Sequence, residues 1–314
     1  MEYSVSIEDV FAAAARLDGI VKRTPVVSAE GIDEIAGRQV LMKCENLQDI
    51  GAFKFRGATN AVIMLGDAAE KGVCTHSSGN HAQALSMAAK NRGVDAYIVM
   101  PKTAPRVKVL GVKDQGAELT FCEPTLAARE STAGEIIDRT GAALVHPYDN
   151  PDVIAGQGTA ALEFFQQAGE LDAIVSPVGG GGLMSGTSVT IRALTPDARI
   201  FGAEPAGADD AARSLEAGEF LPQTGPDTIC DGLLTSMGEH TWPIIRDHLE
   251  TIIRVTDEQV VEAMRLILDN LGMVVEPSGA VSLAAVLTPE FKELKGIDRV
   301  GVILSGGNVD SLPF

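Results

Sequence analysis

Short apolar runs rich in β-branched residues alternate with longer stretches of helical period along nearly the whole chain. The runs predict strands at 39–44, 73–76, 96–100, 119–122, 143–146, 173–178, 199–203 and 299–304. Between them the period predicts helices over 80–91, 126–139, 155–168, 183–193 and 257–271. This alternation predicts an α/β chain with parallel sheets. The run Ala-Ile-Val-Ser-Pro-Val at 173–178 has no polar face and predicts a strand covered on both sides. Residues 206–240, rich in Gly, Pro and Asp, predict an irregular excursion. The strand–helix steps between Val73 and His146 suffice for a small sheet of their own. The expected division is therefore a small inserted domain at 69–149 within a large one formed by 1–68 and 150–314.

Composition narrows the classes. With 314 residues, 45% of them hydrophobic, the chain can bury a large core. A net charge of −18 argues against a nucleic-acid partner, which needs a basic surface. The four cysteines, Cys44, Cys74, Cys122 and Cys230, show no metal-ligand spacing, and they predict buried thiols in a reducing, cytoplasmic compartment. The N-terminus lacks the basic and apolar regions of a signal peptide. No apolar run approaches the ~20 residues of a membrane span, so no membrane partner is expected.

Lys54 stands between Phe53 and Phe55, with Gly51 and Gly57 close by. Apolar neighbours desolvate an ammonium, lower its pKa and make an amine able to form a Schiff base. On this segment alone, a snorkelling lysine at a helix start is the simpler reading. Gly179, Gly180, Gly181 and Gly182 follow a predicted strand and open a helix, a pattern in which backbone N–H groups converge on a phosphate. His76-Ser77-Ser78-Gly79-Asn80-His81, at another strand end, offers hydroxyls, an amide and N–H groups to a substrate carboxylate. Ser305-Gly306-Gly307-Asn308 follows the strand at 299–304, where open α/β sheets place ligands. The turn Glu204-Pro205-Ala206-Gly207-Ala208-Asp209-Asp210 has oxygen ligands for Mg²⁺ or Ca²⁺, though alone it reads as a solvated acidic turn. The scattered histidines make no metal site, and no Gly-x-Ser-x-Gly elbow supports a serine hydrolase.

Together these segments resemble the fold-type II pyridoxal-phosphate (PLP) enzymes, and within them the serine racemase and serine–threonine dehydratase group, including 3-hydroxyaspartate dehydratases. The resemblance rests on residues 45–58, 75–83, 179–182, Glu276-Pro277-Ser278-Gly279 and 305–310, in the family's order. It implies two open twisted α/β domains, like those of the tryptophan synthase β subunit, with the cofactor in the cleft between them. It implies that Lys54 carries the cofactor covalently and moves the Cα proton on one face, with Ser78 as acid/base on the other. Phe53 and Asn80 would flank the cofactor ring, Gly179 to Gly182 and Leu183 would hold its phosphate, and Ser305 would meet its ring nitrogen. Glu276 would lie near the cofactor. Ser77, Ser78, Asn80 and His81 would frame the substrate carboxylate, with Arg129 on the substrate side. Glu204, the Ala208 carbonyl and Asp210 match the family's divalent-cation site for Mg²⁺, Mn²⁺ or Ca²⁺.

Ile50 and Ala52 depart from the Thr and Ser common before the lysine, and Tyr148 from an asparagine of some racemases. The implied activity is dehydration of a small β-hydroxy amino acid (serine, threonine or 3-hydroxyaspartate) to a 2-oxo acid and ammonia. Serine racemisation is the close alternative. A β-replacement synthase and a non-enzymatic phosphate-binding module are further ones. The resemblance implies a homodimer; ATP stays open, since no nucleotide site maps onto these residues.

Overall fold

The computed structural model describes residues 3–77 and 79–314. Among the described residues, ten strands form two sheets: β1 (Val26–Val27), β2 (Gln39–Lys43), β3 (Val73–His76), β4 (Ala96–Pro101), β5 (Glu118–Cys122), β6 (Ala143–Leu144), β7 (Ala173–Pro177), β8 (Arg199–Pro205), β9 (Thr251–Val255) and β10 (Arg299–Ile303). One sheet runs β1-β2-β10-β7-β8-β9, the other β5-β4-β3-β6. All pairings are parallel except β1 with β2.

Strands β3 and β7 are buried at every position, as helix-covered parallel strands require. The predicted strand at 143–146 shortens to the two residues Ala143–Leu144. Two strands escape the sequence pattern. β1 is a two-residue edge pair, and β9 carries Arg254 among its apolar positions. The excursion at 206–240 is not wholly irregular: it holds the helix Asp210–Ala217, ended by left-handed Gly218. The helix Asp257–Leu271 has its expected bounds, set by a Thr256–Gln259 capping box and by Gly272 at φ 63°.

Three helices converge behind the cleft: Lys54–Met64, Pro151–Ala168 and Gly182–Leu194. Glycines let them meet backbone to backbone. A Cβ on Gly156 would lie 2.7 Å from Gly57 Cα, and one on Gly186 would lie 2.5 Å from the Gly158 nitrogen. The first of these contacts fixes the height of the helix that begins at Lys54. Loops from the carboxyl ends of β2, β3, β6, β7 and β10 open into one cleft, the usual place for ligands of open parallel sheets. Among the described residues, no helix is long and apolar enough to cross a membrane.

Candidate active site

Lys54 is the first residue of its helix and reaches the cleft floor. Its Nζ donates to the Pro147 carbonyl at 2.8 Å and lies 5.1 Å from the centre of the Phe53 ring. Burial lowers its pKa to about 8, which leaves a neutral amine within reach near physiological pH. Two residues on, Arg56 is fully buried and binds Glu45 and Glu163, each at 2.7 Å. That network ties the helix start to the end of β2.

The loop after β3 supplies the facing wall. The Ser77 hydroxyl accepts the Gly79 N–H at 3.3 Å. Asn80 donates through Nδ2 to Glu276 at 2.6 Å, and its Oδ1 accepts from Asn308 at 3.0 Å. Asn308 also donates to the Ile50 carbonyl at 2.6 Å. Ile50 sits at φ 59°, a conformation that β-branched residues rarely adopt, so this segment is held under strain behind the cleft. His81 is buried, with Nε2 against the Val145 carbonyl at 3.3 Å. Desolvation holds its pKa well below the usual range, so the ring is neutral. Ser78 lies outside the described residues.

Gly179 to Gly182 and Leu183 line the opposite wall. Gly181, at φ 87°, precedes the helix Gly182–Leu194, whose first turn has no side-chain cap. A Cβ on Gly180 would fall 2.2 Å from the Tyr148 ring, and one on Gly179 would fall 3.0 Å from Leu233 Cα. Larger residues at these two positions would therefore fill the cup. Tyr148 in turn meets His146 edge-on at 4.7 Å.

Ser305 donates to the Ser278 carbonyl at 3.3 Å. Glu276 is buried at the N-cap of the helix Pro277–Val286, where desolvation raises its pKa and the Lys108 ammonium opposes the rise. Arg129 lines the cleft from the helix Leu126–Thr140, and its buried Nε has no hydrogen-bond partner among the described residues. Two contributors have no signal in the sequence, Lys108 and Asp231, whereas Asn308 falls in the loop after β10 already expected to meet a ligand. Lys108 falls in Arg-Val-Lys-Val-Leu, a stretch that resembles a solvated helix face, although the side chain is 1% exposed. Its burial depends on partners 123 and 168 residues away, which local pattern does not reveal.

Glu204 and Asp210 form a separate buried pair outside the lining of the cleft. Glu204 accepts the N–H groups of Ala211 and Ala212 at 3.2 and 2.8 Å. Among the described residues neither carboxylate oxygen of Asp210 makes a well-formed hydrogen bond, and burial pushes its pKa up to about 6. Ala208 lies in the same turn, 1% exposed. Among the described residues, no three His, Cys, Asp or Glu side chains converge as metal ligands, so any ion here would need backbone oxygen as well.

A desolvated amine suits an aldehyde, and an uncapped helix start behind bare glycines suits a phosphate. Both fit pyridoxal phosphate. The chain belongs to the pyridoxal-phosphate-dependent enzymes, whose family pattern it matches over residues 17–306. It is 48% identical to serine racemase of Dictyostelium discoideum over 310 residues, covering 98% of this chain and 96% of the relative. It is also 48% identical to β-hydroxyaspartate dehydratase of Paracoccus denitrificans, covering 98% of each. The maize serine racemase structure superposes with a TM-score of 0.96 at 43% identity, covering 98% of this chain and 95% of that one. The architecture is thus that of fold-type II PLP enzymes.

Proposed function

We propose that the protein dehydrates a small β-hydroxy amino acid, releasing a 2-oxo acid and ammonia. The observation that carries this reading is the Lys54 amine, with a pKa of about 8, facing the Ser77–Asn80 loop across a cleft rimmed by glycines. The cofactor, held by Lys54, would supply the electron sink that acidifies the substrate Cα–H.

Residues of this chain do the rest. Lys54, neutral, accepts the Cα proton. Gly179 to Gly182 and Leu183 would hold the phosphate, Phe53 would pack beside the ring, and Asn80, braced by Glu276 and Asn308, would meet its phenolic oxygen. Ser305 offers the ring nitrogen a neutral hydroxyl rather than a carboxylate. A neutral partner of this kind would suit elimination, and the departing β-hydroxyl would take from Lys54 the proton removed from Cα and leave as water. The enamine released afterwards hydrolyses to the 2-oxo acid and ammonia. Ser77 and the neighbouring N–H groups bind the substrate carboxylate, with His81 behind them. Ser78 is assigned the second proton, which racemisation needs.

Arg129 points to the preferred substrate. Its guanidinium, in the cleft wall, forms no ion pair among those described, and a second substrate carboxylate would complete it. This favours 3-hydroxyaspartate over serine and threonine. Serine racemisation is the second reading, supported by the 48% identity to the Dictyostelium racemase. Turnover of L-serine, L-threonine and the 3-hydroxyaspartate stereoisomers, scoring 2-oxo acid and inverted amino acid separately, decides between them. D-serine without any 2-oxo acid would overturn the dehydratase reading.

Glu204, the Ala208 carbonyl and Asp210 are proposed to bind Mg²⁺, Mn²⁺ or Ca²⁺, because two buried carboxylates stand together and that of Asp210 makes no well-formed hydrogen bond among the described residues. The working form is proposed to be a cytoplasmic homodimer; solution mass tests the dimer. No nucleotide is assigned a role.

A further inference from the structure

Lys108 belongs to the helix Arg106–Asp114, which packs beside the four-stranded sheet, yet its ammonium points across the cleft. There it meets Asp231 at 2.6 Å and Glu276 at 3.2 Å, both carried by segments of the six-stranded half. Its aliphatic stem lies against the substrate loop: a Cβ on Gly79 would sit 3.1 Å from Lys108 Cδ.

Each carboxylate leads to a different part of the site. Glu276 accepts from Asn80 at 2.6 Å. Asp231 leads through the Gly232 N–H to the Ser278 hydroxyl at 2.9 Å, and the Ser278 carbonyl accepts from Ser305. A second tie joins the same helix to the other half, since the Val107 N–H donates to Asp310 at 2.9 Å. Burial alone would discharge a lysine; here Glu276 and Asp231 more than offset it, and the ammonium stays charged.

We infer that Lys108 is a positioning residue, an ionic clamp that holds the substrate-carboxylate loop of one half against Asp231 and Glu276 of the other. Without it, two carboxylates face each other in a water-poor space and the loop loses its backing. Substrate affinity then falls while the cofactor stays attached to Lys54. The inference rests on the cleft being an amino-acid site.

The test uses holoenzyme and the variants Lys108→Met, Lys108→Arg, Asp231→Asn and the Met/Asn double variant. Glycine, which has no β-hydroxyl to lose, serves as the binding probe by calorimetry. Visible cofactor absorbance and thermal midpoint are recorded alongside. Expected are about tenfold weaker glycine binding and a matching rise in KM in both Lys108→Met and Asp231→Asn, about 1.4 kcal/mol. Partial recovery is expected in Lys108→Arg. The double variant should be no weaker than either single one, since the two residues act as a pair. Should Lys108→Met not fold, Asp231→Asn decides, because Asp231 lies on a half-buried turn. Glycine affinity within twofold of wild type in the variants, or effects that multiply in the double variant, would overturn the clamp alone. A wild-type holoenzyme that binds no glycine would overturn the amino-acid site as well.

Discussion

Arg56 and Glu45 are joined at two points in a space closed to water, Nε to Oε2 at 2.7 Å and Nη2 to Oε1 at 2.8 Å. The pair links the turn after β2 to the helix that carries Lys54. Removing one partner leaves a buried uncompensated charge, which costs about 3–5 kcal/mol. Arg56→Met should therefore unfold at much lower denaturant than wild type. Replacing Glu45 by Gln in that variant should restore part of the loss. A denaturation midpoint unmoved by Arg56→Met would show that the pair contributes nothing net.

Lys54 makes the cofactor-free protein respond to alkali. Its folded pKa of about 8 lies below the ordinary lysine value of 10.5, so between them the unfolded chain binds the extra proton. Stability contributed by this group therefore rises as pH rises through that window. Lys54→Met should gain stability near pH 7, lack this rise and show no turnover. Melting curves of both proteins at pH 7 and pH 10 read the difference; parallel curves would place the amine in water.

The Glu204–Asp210 pair predicts the opposite slope. Both folded pKa values are raised, that of Asp210 to about 6, so the folded state holds protons that the unfolded chain has released. The cation-free protein should lose stability as pH rises from about 4 through 6. Mg²⁺ or Ca²⁺ should raise the melting temperature more at pH 8 than at pH 5, by mass action on the folded state. Asp210→Asn should stabilise the cation-free form and erase the response. A cation effect that survives Asp210→Asn would move the site elsewhere.

Arg129→Gln separates the candidate substrates. A charge-assisted hydrogen bond contributes about 1.5–3 kcal/mol, so kcat/KM for 3-hydroxyaspartate should drop roughly 10- to 100-fold. The value for L-serine, which has no second carboxylate, should change by less than about threefold. Equal losses on both substrates would place Arg129 in a purely structural role.

Much of this site was legible because it is written in short local motifs. The four glycines at 179–182 and the loop around Asn80 each follow a strand that its own apolar run discloses, and Lys54 opens the first α-helix after β2. Those loops open into one cleft, as the strand order requires. What stayed hidden depends on distant partners. Lys108 is buried because Asp231 and Glu276 meet it, and the partners of Asn308, Ile50 and Asn80, are more than 200 residues away although its loop was legible. The strand β9 was hidden by Arg254, whose guanidinium leaves the sheet to pair with Asp209 and Glu216.

β10 follows every other strand in the chain, yet it lies between β2 and β7 in the middle of the six-stranded sheet. During synthesis, the sheet therefore has a gap at its centre until residues 299–303 leave the ribosome. Ser305 and the contacts of Asn308 arrive only with that strand. A growing chain thus lacks one wall of the pocket, and a firm hold on the cofactor waits for residues 299–308.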